Sequence, residues 1–149
     1  MTTFVPVREG PLPWWLDRAL AATVVLSAAL VVAALLAVEP DARGYGTHEQ
    51  LGLRPCGWPE HYGMPCPTCG VTTAACYLVH LHPWQALVTQ PFGAALAAVG
   101  IVLACVAALD LVRGRAFAVR AYRFRMATWV VAGTALLLVS WWYKAKAGG

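Results

Sequence analysis

Charge is scarce in this chain: 12% of its 149 residues are Asp, Glu, Lys or Arg, while 60% are apolar. That balance excludes an ordinary soluble domain, in which about a quarter of the residues are charged, and points to an integral membrane protein. Acidic residues are scarcer still, seven in all, and only Asp110 falls well inside an apolar run. The chain therefore offers no convincing acid/base pair and no intramembrane ion pathway. A glycine-rich phosphate loop is missing, as are internal repeats and the alternation of strands and helices that a thioredoxin-like domain needs. The net charge of +4 is concentrated in one arginine cluster beside apolar runs, so it reads as a topology signal and argues against nucleic-acid binding.

What is present is three long apolar stretches. The first covers 19–38, and about 20 residues at about 1.5 Å each match a hydrocarbon core of about 30 Å. Residues 1–13 before it carry Pro6, Gly10, Pro11 and Pro13, too many breaks for a continuous helix, so a short cytoplasmic tail is expected there. Trp14 and Trp15 follow at the interface. A cleavable signal peptide would have an apolar region of about 7 to 15 residues, so an uncleaved anchor is expected instead. The second run, 92–112, follows an entry turn at Gln90-Pro91, and the third, 126–143, ends in Trp141-Trp142-Tyr143. These runs leave no room for a separate soluble enzyme. Ala29, Ala33 and Ala37, and again Gly100, Ala104 and Ala108, recur every four residues as small-residue stripes that a second helix could approach closely. Asp110 is expected to snorkel toward Arg113 or Arg115.

Arg113, Arg115, Arg120, Arg123 and Arg125 lie between the second and third runs and outweigh Lys144 and Lys146 at the C-terminus. By the positive-inside rule that connection faces the cytoplasm. The N-terminus is then cytoplasmic, and the segment between the first two runs faces the periplasm or exterior across a bacterial inner membrane.

That outward segment, 39–68, is dense in Gly, Pro, His and charge, so regular structure is not expected in it. Its length is uncommon in a small protein unless function, crosslinks or ligands hold it. It contains Cys56 and Cys66 and ends next to Cys69; Cys76 and Cys105 complete the five cysteines. Cys105 lies mid-run and reads as a small buried hydrophobe. Three readings compete for Cys56, Cys66 and Cys69. In the first, one disulfide, Cys66–Cys69 or Cys56 with either of them, pins the loop in an oxidising compartment. In the second, Cys66 and Cys69 form an exchanging dithiol, favoured by a helix N-terminus and constrained by Pro67. In the third, Cys56, Cys66 and Cys69 with His61, His48 or Cys76 hold zinc. A lone Cys-x-x-Cys lacks the second ligand pair of a strong zinc signal, and Gly70 stands where a c-type haem attachment site needs His. A b-type haem through His80 or His82 is a further alternative.

From Cys69 to the break at His82-Pro83 the pattern fits a short interfacial or re-entrant helix, 69–82, too short to span. On such a helix Cys69, Thr72 or Thr73, Cys76 and His80 share one face, opposite Val71, Ala74, Ala75 and Leu78. The polar face is expected to meet the bundle, a cavity or a partner; the plainer alternative is that these groups bond back to helix carbonyls or to the loop.

The stretch Gly63-Met64-Pro65-Cys66-Pro67-Thr68-Cys69-Gly70-Val71-Thr72, with Cys56 upstream, resembles the small bacterial membrane proteins grouped as DUF2752. Their pattern is Gly-x-x-Cys-Pro-x-Cys-Gly-x-Thr-Arg-Ala ahead of an apolar helix. The resemblance runs from about 51 to 112. Thr73 stands where many members carry arginine, so a role needing a cation at that position does not transfer. The family supplies no activity, so the resemblance implies the architecture and the importance of the cysteines.

The expected whole is a single all-α membrane domain over 1–149, with three transmembrane helices and a short interfacial helix after a Cys-rich loop. The expected function is non-enzymatic, as an accessory or structural subunit that docks on partner membrane proteins in the lipid bilayer. A membrane thiol–disulfide oxidoreductase using Cys66 and Cys69, or a zinc-binding membrane protein, is the alternative.

Overall fold

The computed structural model describes residues 12–118 and 126–147. Among them all regular structure is helical: α1 (Trp14–Leu36), a 3-10 turn (Thr47–Leu51), α2 (Trp58–Tyr62), α3 (Val71–Val79), α4 (Pro83–Thr89), α5 (Pro91–Arg113) and α6 (Met126–Ala147). The expected N-terminal tail up to residue 11, and Arg120, Arg123 and Arg125 of the basic connection, lie outside the described residues.

α1 begins five residues before its apolar run. Pro13, extended at φ −56° and ψ 143°, presents its carbonyl to the amides of Leu16 and Asp17 at 3.0 and 3.1 Å. Proline just ahead of a helix has no amide to lose, so it starts the helix cheaply. α5 begins on Pro91 for the same reason. The first amide of the helix finds a partner elsewhere: Phe92 donates to Ser140 Oγ of α6 at 3.1 Å.

α1 and α5, 23 residues each, are long and apolar enough to cross a membrane, and only 11% of each apolar window is buried within the chain. A core helix of a soluble domain would be mostly buried. Among the described residues two helices meet this standard, where three were expected. α6 has the length, at 22 residues, and ends in Lys144 and Lys146.

α1 and α5 run in opposite directions and close around Ala21, Ala107 and Phe117, with Val24, Val25, Val106 and Leu111 packed against them. The alanines let the backbones approach. The stripes expected for that role do not perform it: Ala29, Ala33, Ala37 and Gly100 are exposed, and Ala104 and Ala108 are half-buried. Asp110 is buried in place of snorkelling, because its position one turn from Ala107 puts it on the inner face of α5. Cys105 is exposed, not buried, since it lies two residues from Ala107 and so on another side of the helix.

The segment 39–68 is more ordered than its composition predicts. The 3-10 turn and α2 each form within it, and the expected helix 69–82 divides in two. Its start moves to Val71 because Cys69 and Gly70 form a turn, in which the amides of Cys69 and Val71 reach the carbonyls of Cys66 and Thr68 at 3.0 and 3.1 Å. It stops at Val79 because Leu81 takes a positive φ of 63° and Pro83 cannot continue a helix, so α4 restarts there.

Candidate thiol site

The Cys-x-x-Cys segment has little regular structure of its own, yet its backbone is held from three sides. The carbonyl of Pro65 accepts from Trp141 Nε1 at 2.9 Å. That of Pro67 accepts from Gln90 Nε2 at 3.1 Å, and that of Cys69 from Lys144 Nζ at 3.0 Å. Lys144 also donates to the carbonyl of Gly44 at 3.1 Å, which ties the loop after α1 to the same ammonium group. Three alternate carbonyls are therefore caught by side chains from the start of α5 and the end of α6. Prolines at 65 and 67 cannot offer amides to a ladder, so carbonyl capture is the remaining way to fix this stretch. Gln90 is fully buried, and its Oε1 has no partner among the described residues.

Two glycines make the arrangement sterically feasible. Gly70 has φ 86°, and a Cβ there would meet the Gly44 carbonyl and Lys144 Nζ. Gly93 lets α5 approach α3 so closely that a Cβ would lie 2.8 Å from Val71 Cα and 3.3 Å from Ala74 Cβ. The apolar side of α3 predicted from the sequence therefore packs on α5 through buried Ala74.

The cysteines open onto a cleft of about 580 Å³ lined by Cys56, Cys66, Cys69, Arg43, Glu60 and Thr72 among others. Cys66 Sγ lies 3.2 Å from Thr68 Oγ1. Burial alone pushes the Cys66 thiol up. The hydrogen bonds from the Thr68 hydroxyl and backbone, from Cys56 and from the Cys69 backbone outweigh it, and the net shift is downward. Cys69 shifts the other way. Burial raises it, a hydrogen bond with the Cys66 backbone and the Lys144 charge pull it down, and the neighbouring thiolates of Cys56 and Cys66 add to the rise. Lys144 itself is held below the usual lysine range by burial.

One wall of the cleft is an electrostatic knot. The Arg43 guanidinium bridges Asp41 at 2.7 Å and Glu49 at 3.1 Å and lies over the Tyr45 ring. Hydrogen bonds from the Arg43 side chain and backbone hold the Asp41 carboxyl below its usual range. Thr47 Oγ1 accepts the amide of Asp41 at 3.0 Å and donates to Thr73 Oγ1 at 2.9 Å. Thr73 is thereby buried and satisfied by the loop, while the cation at this cleft is Arg43.

The predicted polar face of α3 divides. Thr72 lines the cleft, and Thr73 bonds the 3-10 turn. Cys76 is buried with Sγ 3.4 Å from the Leu35 carbonyl and 3.5 Å from that of Val38, so its thiol caps the C-terminal end of α1. Burial, with Glu39 nearby, raises this thiol. His80 Nδ1 turns back to the Cys76 carbonyl at 2.9 Å. The face thus meets the cleft through Thr72 and the end of α1 through Cys76, while Thr73 bonds to the loop and His80 back to a carbonyl of its own helix.

All five cysteines are free thiols. Among the described residues no group of three or more His, Cys, Asp or Glu side chains is arranged to hold a metal ion, so the predicted set Cys56, Cys66, Cys69 and His61 is not assembled. His61 sits on α2 with Nδ1 3.0 Å from the Gly57 carbonyl, and His48 Nε2 is spent on the Arg54 carbonyl at 3.2 Å.

Sequence reasoning missed Gln90, Trp141 and Lys144 as site residues. The sequence presents Gln90 as part of an entry turn, Trp141 as the end of the third apolar run and Lys144 as a charge beyond it. Their only sequence signal is a polar atom at the boundary of an apolar run.

No curated protein and no solved structure matches the chain. A family model described as "Protein of unknown function (DUF2752)" matches residues 56–104, from the first loop cysteine through α3 and α4 into α5, so this region is similar to that family.

Proposed function

We propose that this chain is a small multi-pass protein of the bacterial inner membrane, N-terminus inside and cysteine loop outside, that serves as an accessory subunit of a membrane protein assembly. The observation that carries it is the outward apolar surface of α1 and α5, of which 11% is buried within the chain; surface of that kind needs lipid or protein cover. α6 is the third crossing in this reading, since it returns to the cysteine end, where Ser140, Trp141 and Lys144 make their bonds. The loop, fixed by three side chains, is the preformed face offered to a partner. Two measurements test the proposal. A cysteine introduced at position 120 should resist labelling from outside intact cells, and labelling there would invert the topology. Extracted in mild detergent from its native membrane, the chain should travel in a complex of defined composition that Gly70→Ala disrupts; a 16.0 kDa monomer would end the subunit reading.

A second reading, thiol–disulfide exchange, is favoured by one specific observation: Cys56, Cys66 and Cys69 converge on one open cleft. Reactive thiols sit in partly exposed settings with groups that stabilise the thiolate. Titration in graded thiol buffers should show a pair with a potential above about −300 mV. A pair that stays oxidised at glutathione strength would sink this reading.

A further inference from the structure

We infer that Thr68 is the positioning residue of the cleft: its hydroxyl holds the Cys66 sulfur and donates to it as negative charge develops, which makes Cys66 the thiol that attacks. That assignment rests on the thiol-exchange reading, which it deepens by naming the attacking sulfur and the group that prepares it.

Thr68 Oγ1 lies 3.2 Å from Cys66 Sγ, and both residues line the cleft. Either atom can donate while the thiol keeps its proton. Once the proton leaves, only the hydroxyl can, and a hydrogen bond to an anion is about twice as strong as one between neutral groups. The contact therefore favours the thiolate. It is also fixed in advance. Pro67 sets φ between the two residues, and its carbonyl is held by the buried Gln90 at 3.1 Å. The Thr68 carbonyl accepts the amide of Val71 at 3.1 Å, and the Cys66 carbonyl accepts that of Cys69 at 3.0 Å. With its backbone bound on both sides and a branched Cβ that restricts rotation, Thr68 has little freedom to turn away.

The charged groups around the cleft do not supply the same effect. Arg43, lying over the Tyr45 ring, is engaged by Asp41 at 2.7 Å and Glu49 at 3.1 Å. The His48 ring is bonded to the Arg54 carbonyl. Glu60 adds a carboxylate to the cleft, and Cys56 and Cys69, once ionised, would likewise oppose a further anion. Lys144 holds the Gly44 and Cys69 carbonyls, and its charge acts on Cys69. The balance of these groups agrees with the geometry. Burial pushes the Cys66 thiol up, and the Thr68 hydroxyl leads the hydrogen bonds that bring it below the ordinary range, whereas Cys69 stays above it.

The step so prepared has a disulfide-bearing molecule as co-reactant. Cys66 gives its proton to water, and the thiolate attacks one sulfur of the incoming disulfide. A bond forms between that sulfur and Cys66 Sγ, the incoming S–S bond breaks, and the other sulfur leaves with the electron pair as a thiolate. One disulfide replaces another, so no further oxidant is needed.

Thr68→Val removes the hydroxyl and keeps the shape, and Thr68→Ser keeps the hydroxyl. Full-length reduced protein in detergent, pulsed with limiting iodoacetamide across pH and mapped by mass spectrometry, should be labelled at Cys66 ahead of Cys56 and Cys69. In T68V the Cys66 profile should move to higher pH, with labelling at neutral pH about twofold slower, and T68S should return it toward the original. A loop merely loosened by the substitution would be labelled faster at every pH, with no shifted midpoint. Cys56 or Cys69 labelled first in the unsubstituted chain overturns the inference, and this result needs no variant to fold. Coincident Cys66 profiles in T68V and the unsubstituted chain overturn it too. Oxidised glutathione separates the assignment from the reading beneath it. If T68V shifts the profile but the unsubstituted protein consumes no oxidised glutathione, exchange falls and Thr68 keeps its role at the sulfur. If T68V consumes it at the unsubstituted rate at neutral pH, exchange stands and the role of Thr68 falls.

Discussion

At one end of the long helices side-chain donors reach for carbonyls: Trp141, Gln90 and Lys144 grip Pro65, Pro67 and Cys69. At the other end one carboxylate does the opposite, as Asp17 of α1 accepts the amides of Phe117 and Ala118 at 3.0 and 2.7 Å. The first end distributes its hold over three residues from two helices. The second concentrates it in a single buried side chain. Distributed ties loosen by degrees and leave room for a chemical change among them, whereas a concentrated tie fails as a unit. The graded end is also the one that carries the thiols.

Substitutions can break this contrast, the largest effect first. Asp17→Ala leaves one buried and one part-buried amide without an acceptor, and at about 1–3 kcal/mol per unsatisfied group the loss should be about 3 kcal/mol, read as a lowered unfolding midpoint in detergent. Asp17→Asn should recover part of it. Gln90→Ala removes one of three ties and opens a void, so about 2 kcal/mol is expected in the same assay. A loss as large as that of Asp17→Ala would mean that the cysteine end also hangs on one residue. Lys144→Met should cost about 1 kcal/mol because the amine is only half-buried. Its clearer readout is slower alkylation of Cys69 at a fixed pH, once the charge that pulls this thiol down is removed. The smallest effect is one of order. Thiolates are the species that alkylate, so the lowered Cys66 should become reactive at a lower pH than an ordinary cysteine and the raised Cys69 at a higher one. Mapping the two sites across pH checks this, and coincident profiles would contradict the electrostatics described above.

The long helices were legible because hydropathy over about 20 residues is a local property. Runs at 19–38, 92–112 and 126–143 became Trp14–Leu36, Pro91–Arg113 and Met126–Ala147. The ends moved because capping prolines and polar first turns extend a helix without adding apolar length. The 3-10 turn and α2 were not legible, since each is about one turn, the first held by the Thr47–Thr73 bond across 26 residues and the second by the ring contact of Trp58 with Tyr62. At the site, the cysteines were found from their spacing, and the resemblance to DUF2752 over residues 56–104 from the motif around them. Gln90, Trp141 and Lys144 were not, because what matters about them is which carbonyl they meet 23, 76 and 75 residues away. Local pattern holds no record of such a meeting. The same limit explains Cys105 and the alanine stripes, where periodicity shows that a face exists but not what covers it.

The Lys144–Cys69 bond also imposes an order in time. The ribosome makes Cys69 first and supplies its lysine 75 residues later, an interval of about 4–15 s at about 5–20 residues per second. Throughout that interval the thiols exist on a loop that nothing from α6 restrains, so any oxidant present during synthesis meets a more permissive site than the finished protein offers. The last helix to emerge is the one that closes the choice.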